Sequence, residues 1–261
     1  MRVMATRKIL VTNDDGVRSE GIEALAHALA PLGEVTIVAP QAESSAIGHA
    51  LTLARPLRLE QIAPRVYFVD GTPTDCVNVA VAHVFDRKPD LIVSGINKGW
   101  NVGDDVTYSG TVAGALEGLL LGIPSIAVSL QRTASFDFSH AAAAAATLAD
   151  EVLTRGLPPR TLLNLNLPAG APRGWKLTVQ ADRNHVTEVF RGDDPRGRPY
   201  YWIDEGQSEW VPHGQSDYEA VRGGFISVTP LQPNLTAHEA LRFVEAMLPG
   251  LTDSPAPEST S

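Results

Sequence analysis

The sequence predicts an α/β fold: a Rossmann-like, mostly parallel sheet flanked by helices. Three observations carry this reading. Over the first 130 residues, short runs that are apolar throughout alternate with segments whose apolar residues recur at helical spacing. Strands apolar on both faces belong to a parallel sheet covered by helices on each side. The segments rich in Asn, Asp and Gly (13–16, 40–49 and 94–111) directly follow strand-like runs, at the edge where such folds bind ligands.

Each element has its own signal. Residues 9–12 form the first strand and end in Asn13-Asp14-Asp15-Gly16. Ile22, Leu25, Ala26 and Leu29 then repeat at helical spacing until Gly33 stops the pattern. Residues 35–39 read as a strand closed by Pro40, and residues 66–69 as another. Thr72 reads as a helix N-cap, with Pro73 in the first helical position and Asp75 completing a capping box; that helix runs to about Phe85. Residues 91–94 are a buried strand, 109–121 a helix with Gly122 beyond its end, and 125–129 a further strand. An Ala-rich helix over 139–154 and an alternating strand over 162–167 follow.

Past that point the pattern changes. Turn signals at Asp194-Pro195-Arg196-Gly197 and Arg222-Gly223-Gly224 share a stretch with Trp175, Trp202 and Trp210. They predict an extended C-terminal β-hairpin arm over about 175–230, whose exposed aromatics favour an oligomer contact. A terminal helix is expected over 236–248 and a disordered tail over 251–261. The chain thus reads as one domain over 7–250, with its core over about 7–170.

Composition excludes several function classes. The 261 residues include 30 Asp+Glu against 21 Lys+Arg, a formal net charge of −9, with 44% hydrophobic residues. A chain of this length buries roughly three quarters of its unfolded surface. The acidic balance argues against a protein that tracks nucleic-acid phosphates. The one cysteine, Cys76, rules out an intrachain disulfide framework, and its apolar neighbours mark it as a buried thiol. No signal-peptide pattern or uninterrupted run of ~18 apolar residues occurs, so the expectation is a cytoplasmic protein without a membrane span. There is no Gly-x-Gly-x-x-Gly after the first strand, no phosphate-loop motif, no Gly-x-Ser-x-Gly elbow and no zinc-ligand spacing.

The loops hold the chemistry. Asp14 and Asp15 are adjacent carboxylates at a strand end, which repel one another unless a cation neutralises them; oxygen-only surroundings suit Mg²⁺, Mn²⁺ or Ca²⁺. The same tetrapeptide also has the composition of an Asx turn. The segments 44–49 and 94–105 place neutral oxygen donors at the same sheet edge, or are plain glycine-rich connections. Ser109-Gly110-Thr111 opens a helix, where free N–H groups and the helix dipole favour an anion, and Ser109 equally suits an ordinary N-cap.

Taken together these segments resemble the SurE family of survival-protein nucleotidases. The resemblance rests on Asn13-Asp14-Asp15-Gly16, Val38-Ala39-Pro40 followed by Ser45, Gly71-Thr72-Pro73-Thr74-Asp75-Cys76, Ser94-Gly95-Ile96-Asn97, Gly103-Asp104-Asp105 and Tyr108-Ser109-Gly110-Thr111-Val112, in that order. Weaker similarity continues through Tyr201-Trp202, Val228-Thr229-Pro230 and Leu235-Thr236-Ala237-His238. Gln41 stands where the family usually has Asp, and Ser44 precedes Ser45.

The resemblance implies a SurE-like fold and a phosphohydrolase acting on nucleoside 5′- and 3′-monophosphates, in some members also on short polyphosphate. It implies one divalent metal ion per subunit, held by Asp14, Asp15, Ser45 and Asn97. Asn101, Ser109, Gly110 and Thr111 would contact phosphate, with Asp14, Asp15 and Asn101 as the catalytic set. It implies homodimers or homotetramers in which the C-terminal part is exchanged between subunits. His238 is either a proton donor or a surface histidine in a first helical turn. The rival readings are a broad acid phosphatase or exopolyphosphatase, and a nucleotide-binding module without turnover. None of the readings calls for a nucleic-acid polymer or a membrane as partner.

Overall fold

The computed structural model describes residues 6–44, 46–184, 187–205, 209–211 and 214–248. The expected tail over 251–261 and the candidate ligand Ser45 lie outside them. In chain order the elements are β1 (Lys8–Thr12), α1 (Glu20–Leu29), β2 (Glu34–Pro40), β3 (Leu59–Ala63), β4 (Val66–Val69), α2 (Pro73–Val79), β5 (Leu91–Lys98), α3 (Gly110–Leu120), β6 (Ser125–Leu130), α4 (Ser139–Arg155) and β7 (Leu162–Leu167). Then come β8 (Trp175–Leu177), β9 (Arg183–Asn184), β10 (Thr187–Asp193), β11 (Pro199–Glu205), β12 (Glu209–Trp210), α5 (Asp217–Arg222), β13 (Ile226–Leu231) and α6 (Leu241–Glu245).

Nine strands form the main sheet in the order β3-β4-β2-β1-β5-β6-β7-β13-β8. The block from β4 to β7 is parallel, whereas β3 pairs antiparallel with β4 and β13 antiparallel with β7. Side-chain alternation explains why both faces are covered. Ile9 and Val11 of β1 and Leu91 and Val93 of β5 pack with Ile22 and Leu25 of α1 and Ala141 and Ala145 of α4. Leu10 and Ile92 point the other way, against Val77 and the fully buried Cys76 of α2. Val112 and Ala115 of α3 join Ala127 and Leu162 on a neighbouring patch.

The chain runs outward from β1 through β2 to β4, then returns to lay β5 on the other side of β1. The carboxyl ends of β1 and β5 therefore flank a topological switch point, the crevice where open α/β sheets bind ligands. The segments 13–16 and 94–111 both open there.

Two expectations need correction. Residues 226–231 are not part of an arm but a main-sheet strand between β7 and β8. Pro230, which argues against a central strand, lies past the end of β8, which pairs with β13 only at Ile226, Ser227 and Val228. The arm is the shorter hairpin β10–β11; on it Phe190, Tyr201, Trp202 and Ile203 are exposed, as is Trp175 in β8, while the Trp210 side chain lies outside the described part. The terminal helix shrinks to a 3₁₀ turn at His238–Ala240 and the five residues of α6, none of them buried, so little packing supports a longer helix. The helix expected to run to about Phe85 does so, α-helical to Val79 and then as a π turn over Ala80–Val84 with Phe85 as its cap.

Candidate active site

The loop after β1 answers both readings of its composition. Asn13 makes the turn: its Nδ2 donates to the Gly16 carbonyl (3.1 Å) and to Ser19 Oγ (2.7 Å), and its Oδ1 accepts from the Gly16 N–H (3.1 Å). Ser19 is in turn the N-cap of α1. With Asn13 holding the backbone, the two carboxylates after it face the crevice.

Asp14 is 6% exposed. Its Oδ1 accepts from the fully buried Thr111 hydroxyl at 2.5 Å. Gly110 packs directly on the same side chain: a Cβ built at Gly110 would lie 2.8 Å from Asp14 Cβ and 2.9 Å from its Oδ2. The N-terminus of α3 thus closes on Asp14 because residue 110 has no side chain. Burial raises the Asp14 pKa to about 6; the Thr111 hydrogen bond opposes this and the Asp15 charge adds to it. Burial also raises Asp15, against the Lys98 backbone N–H and the Lys98 and Arg132 charges.

Asn97 reaches the crevice through an irregularity in β5. The β5–β6 register shifts between Ser94 and Asn97, the kind of shift that re-aims a side chain. Gly95 permits it, with φ +142° and a virtual Cβ only 2.4 Å from the Val128 carbonyl oxygen. Asn97 Nδ2 donates to the Gly99 carbonyl (3.0 Å), so Oδ1 is the atom it would offer a cation.

Asn101 is held from two strands. Its backbone N–H donates to Asn166 Oδ1 (2.9 Å), and its carbonyl accepts from Asn164 Nδ2 (2.8 Å) and Asn166 Nδ2 (3.1 Å). Its own Nδ2 donates to Ser129 Oγ (2.8 Å), leaving the second N–H of that amide for a ligand. Ser109 is the N-cap of α3, its Oγ accepting from the Val112 N–H (3.0 Å). The Thr111 side chain is committed to Asp14, so only its backbone N–H remains for an anion.

The segment that carries Ser45 is anchored at several points. The Ser44 N–H donates to the Asp14 carbonyl (2.8 Å) and the Gly48 N–H to the Tyr108 carbonyl (3.0 Å). His49 Nε2 lies 2.7 Å from Oε2 of the buried Glu117, whose Oε1 accepts from Asn78 Nδ2 (2.8 Å). Further along, Thr72 Oγ1 donates to the Ala50 carbonyl (2.8 Å), while the Asp75 carboxylate accepts from the Thr52 and Thr72 N–H groups, both at 2.9 Å. The Thr72–Asp75 capping box therefore staples this loop as well as starting α2.

Asp14, Asp15, Asn97, Asn101 and Ser109 line one open cleft of about 1570 Å³, together with the cations Arg18, Lys98 and Arg132. Asp15 Oδ2 is buried and has no hydrogen-bond partner among the described residues, a condition that costs free energy unless something occupies it. No cluster of three or more His, Cys, Asp or Glu able to hold a metal occurs among the described residues. An orphaned carboxylate oxygen beside a second buried carboxylate and neutral oxygens is a donor set suited to a hard divalent cation. His238 is not among the residues lining the cleft; it is exposed and pairs with Asn234 Nδ2 at 3.1 Å.

Known proteins resemble this chain over most of its length. The family model described as "Survival protein SurE" matches residues 9–187. The chain is 50% identical to the 5′-nucleotidase SurE of Geobacter metallireducens over 238 residues, 90% of this chain and 94% of that one. It is 52% identical to the 5′-nucleotidase SurE of Syntrophotalea carbinolica, over 87% of this chain and 92% of the relative. The crystal structure of the SurE protein from Aquifex aeolicus matches it with a TM-score of 0.82 at 42% identity, covering 92% and 99% of the two chains. With a family match over most of its length and relatives that share half of its residues, the chain belongs to the SurE family.

Proposed function

We propose that the chain is a divalent-metal-dependent phosphohydrolase that releases phosphate from nucleoside monophosphates, the 5′-monophosphates first. The observation that carries this reading is the buried pair Asp14 and Asp15, with Asp15 Oδ2 orphaned, at the switch point and against the N-terminus of α3. The relatives named 5′-nucleotidase supply the substrate class. Asp14, Asp15 and Asn97, with Ser45, would hold the cation. When bound, a divalent ion supplies Lewis acidity toward phosphoryl oxygens and lowers the pKa of its water.

The chain's own groups do the rest. The N–H groups of Gly110 and Thr111 stand at the positive end of α3 and bind phosphoryl oxygens. Asn101 donates its remaining amide N–H, and Lys98 and Arg132 draw an anion into an otherwise acidic molecule. The exposed apolar face of the β10–β11 hairpin supports assembly into a homodimer or homotetramer.

Phosphate release from AMP and GMP, measured with Mg²⁺, Mn²⁺ or Co²⁺ restored after chelation, tests the reading. Turnover is expected to need metal, and Asp14→Asn to lose it by at least about 10³-fold while staying folded. Undiminished turnover in excess EDTA, or a fully active Asp14→Asn variant, overturns the proposal. Faster release from polyphosphate or a synthetic ester than from nucleotides reassigns the substrate.

A further inference from the structure

The loop between β5 and α3 presents Asn101 and Ser109 to the cleft, yet its middle is held by groups far away in sequence. Gly103 opens a 3₁₀ turn over Gly103–Thr107, with no side-chain cap from Val102. Its N–H donates to Asp217 Oδ2 (3.0 Å), 114 residues away, and its carbonyl accepts from Gln180 Nε2 (2.8 Å). Asp217 is fully buried. Its Oδ1 accepts from the Ala181 and Tyr218 N–H groups at 3.0 and 2.8 Å.

Ala181 and Asp217 are also where the hairpin arm leaves and rejoins the body. Val179 bridges Ser216, and the Val211 N–H donates to the Asp182 carbonyl. One carboxylate thus fastens the base of the arm on one oxygen and the phosphate-facing loop on the other. Ile203 of the arm lines the same cleft.

We propose that Asp217, assisted by Gln180, is a positioning residue of the active site: it fixes Gly103 and with it the placement of Asn101 and Ser109 toward the phosphoryl group. This rests on the phosphohydrolase reading above. Asp217→Asn isolates the contact. The amide oxygen stays with the two N–H groups of Ala181 and Tyr218, so its NH₂ meets the Gly103 N–H donor to donor.

The test measures KM and kcat for AMP, and inhibition by inorganic phosphate, in the parent, Asp217→Asn, Gln180→Met and the double variant. In Asp217→Asn the expected result is a fall in kcat/KM of about tenfold or more, with KM raised and phosphate inhibition weakened about fivefold, while metal still raises Tm. Gln180→Met moves both constants the same way, and the double variant is no worse than Asp217→Asn, since both act through one residue, Gly103. A residue that served stability alone would lower the active fraction and leave KM and phosphate inhibition unmoved. Both constants within twofold of the parent in folded Asp217→Asn overturns the proposal; if that variant does not fold, the same result in Gln180→Met does so. A parent that binds phosphate but releases none from any nucleotide refutes the phosphohydrolase reading instead, and phosphate binding by calorimetry then decides the positioning role.

Discussion

Gly110→Ala separates the site from the fold more cleanly than any change to a carboxylate. Residue 110 is the first residue of α3, and its φ lies outside the left-handed region, so Ala fits the backbone. On backbone grounds alone the change stabilises by about 0.4–1 kcal/mol, because Ala has fewer unfolded conformations to lose. The new methyl, however, would sit 2.8 Å from Asp14 Cβ, 2.9 Å from Oδ2 and 3.2 Å from Cγ. Carbon pairs prefer about 3.5–4.0 Å, so Asp14 must retreat by roughly 0.7 Å or more. It cannot retreat without disturbing Thr111 Oγ1, which donates to its Oδ1 at 2.5 Å. Displacements near 1 Å in a catalytic constellation cost about 10²-fold in rate. Phosphate release from AMP with saturating metal should fall by about that factor, and more metal should be needed for half-maximal activity. Circular dichroism should show an intact fold, with the helix propensity of Ala offsetting part of the strain. Parental kcat/KM together with parental metal affinity would refute the packing of α3 on Asp14 as the reason for a glycine there.

Two further outcomes concern stability. Asn166→Ala removes the acceptor of the Asn101 N–H and one donor to its carbonyl; an orphaned buried N–H costs about 1–3 kcal/mol, and the vacated volume adds to this. Urea unfolding should show a loss of about 2–4 kcal/mol, and a loss below 1 kcal/mol would mean that the clamp on Asn101 is dispensable. The Glu117 carboxyl is held below its ordinary value of 4.5, first by the His49 hydrogen bond and then by that of Asn78, with burial and the Asp75 charge opposing. A carboxyl lowered in the folded state contributes stability above its unfolded pKa and loses it as pH falls through the folded one. Acidification below about pH 4.5 should therefore weaken the parent more steeply than Glu117→Gln, and superimposable curves of unfolding free energy between pH 7 and 3 would count against the His49–Glu117 anchor.

The legible part of the fold was the part in which local and tertiary signals agree. Strands β4 and β7 lie where apolar runs placed them, and the Thr72 capping box formed as its residues require, because a side-chain oxygen three residues from an N–H needs no tertiary help. The strands β3, β8 and β13 were not legible. β3 buries almost nothing, and β13 carries a proline whose place is acceptable only because β8 stops short of it. The run Leu-Leu-Asn-Leu-Asn-Leu of β7 forms the expected strand, but alternation does not say what its polar residues face: Asn164 and Asn166 are both fully buried. They are polar because Asn101, from a distant loop, needs their amides.

The same division runs through the site. Asp14, Asp15 and Ser109 stood out as candidates because each follows a strand or opens a helix at the switch-point edge, a property of local order along the chain, whereas Asn97, inside β5, was singled out through the family resemblance. The groups that hold them in place were not. The Thr111 hydroxyl belongs to Asp14, which leaves its backbone N–H for phosphate, and Asp217 sits at the start of α5, 114 residues from the loop it fastens. Gly71-Thr72-Pro73-Thr74-Asp75-Cys76 sharpens the point. It is one of the segments on which the family resemblance rests, yet none of its residues lines the cleft. Its Thr72 and Asp75 instead hold residues 50 and 52, beyond the loop that carries Ser45. A motif thus identifies residues that matter together, and only the directions of their hydrogen bonds separate those facing the phosphate from those that keep the others still.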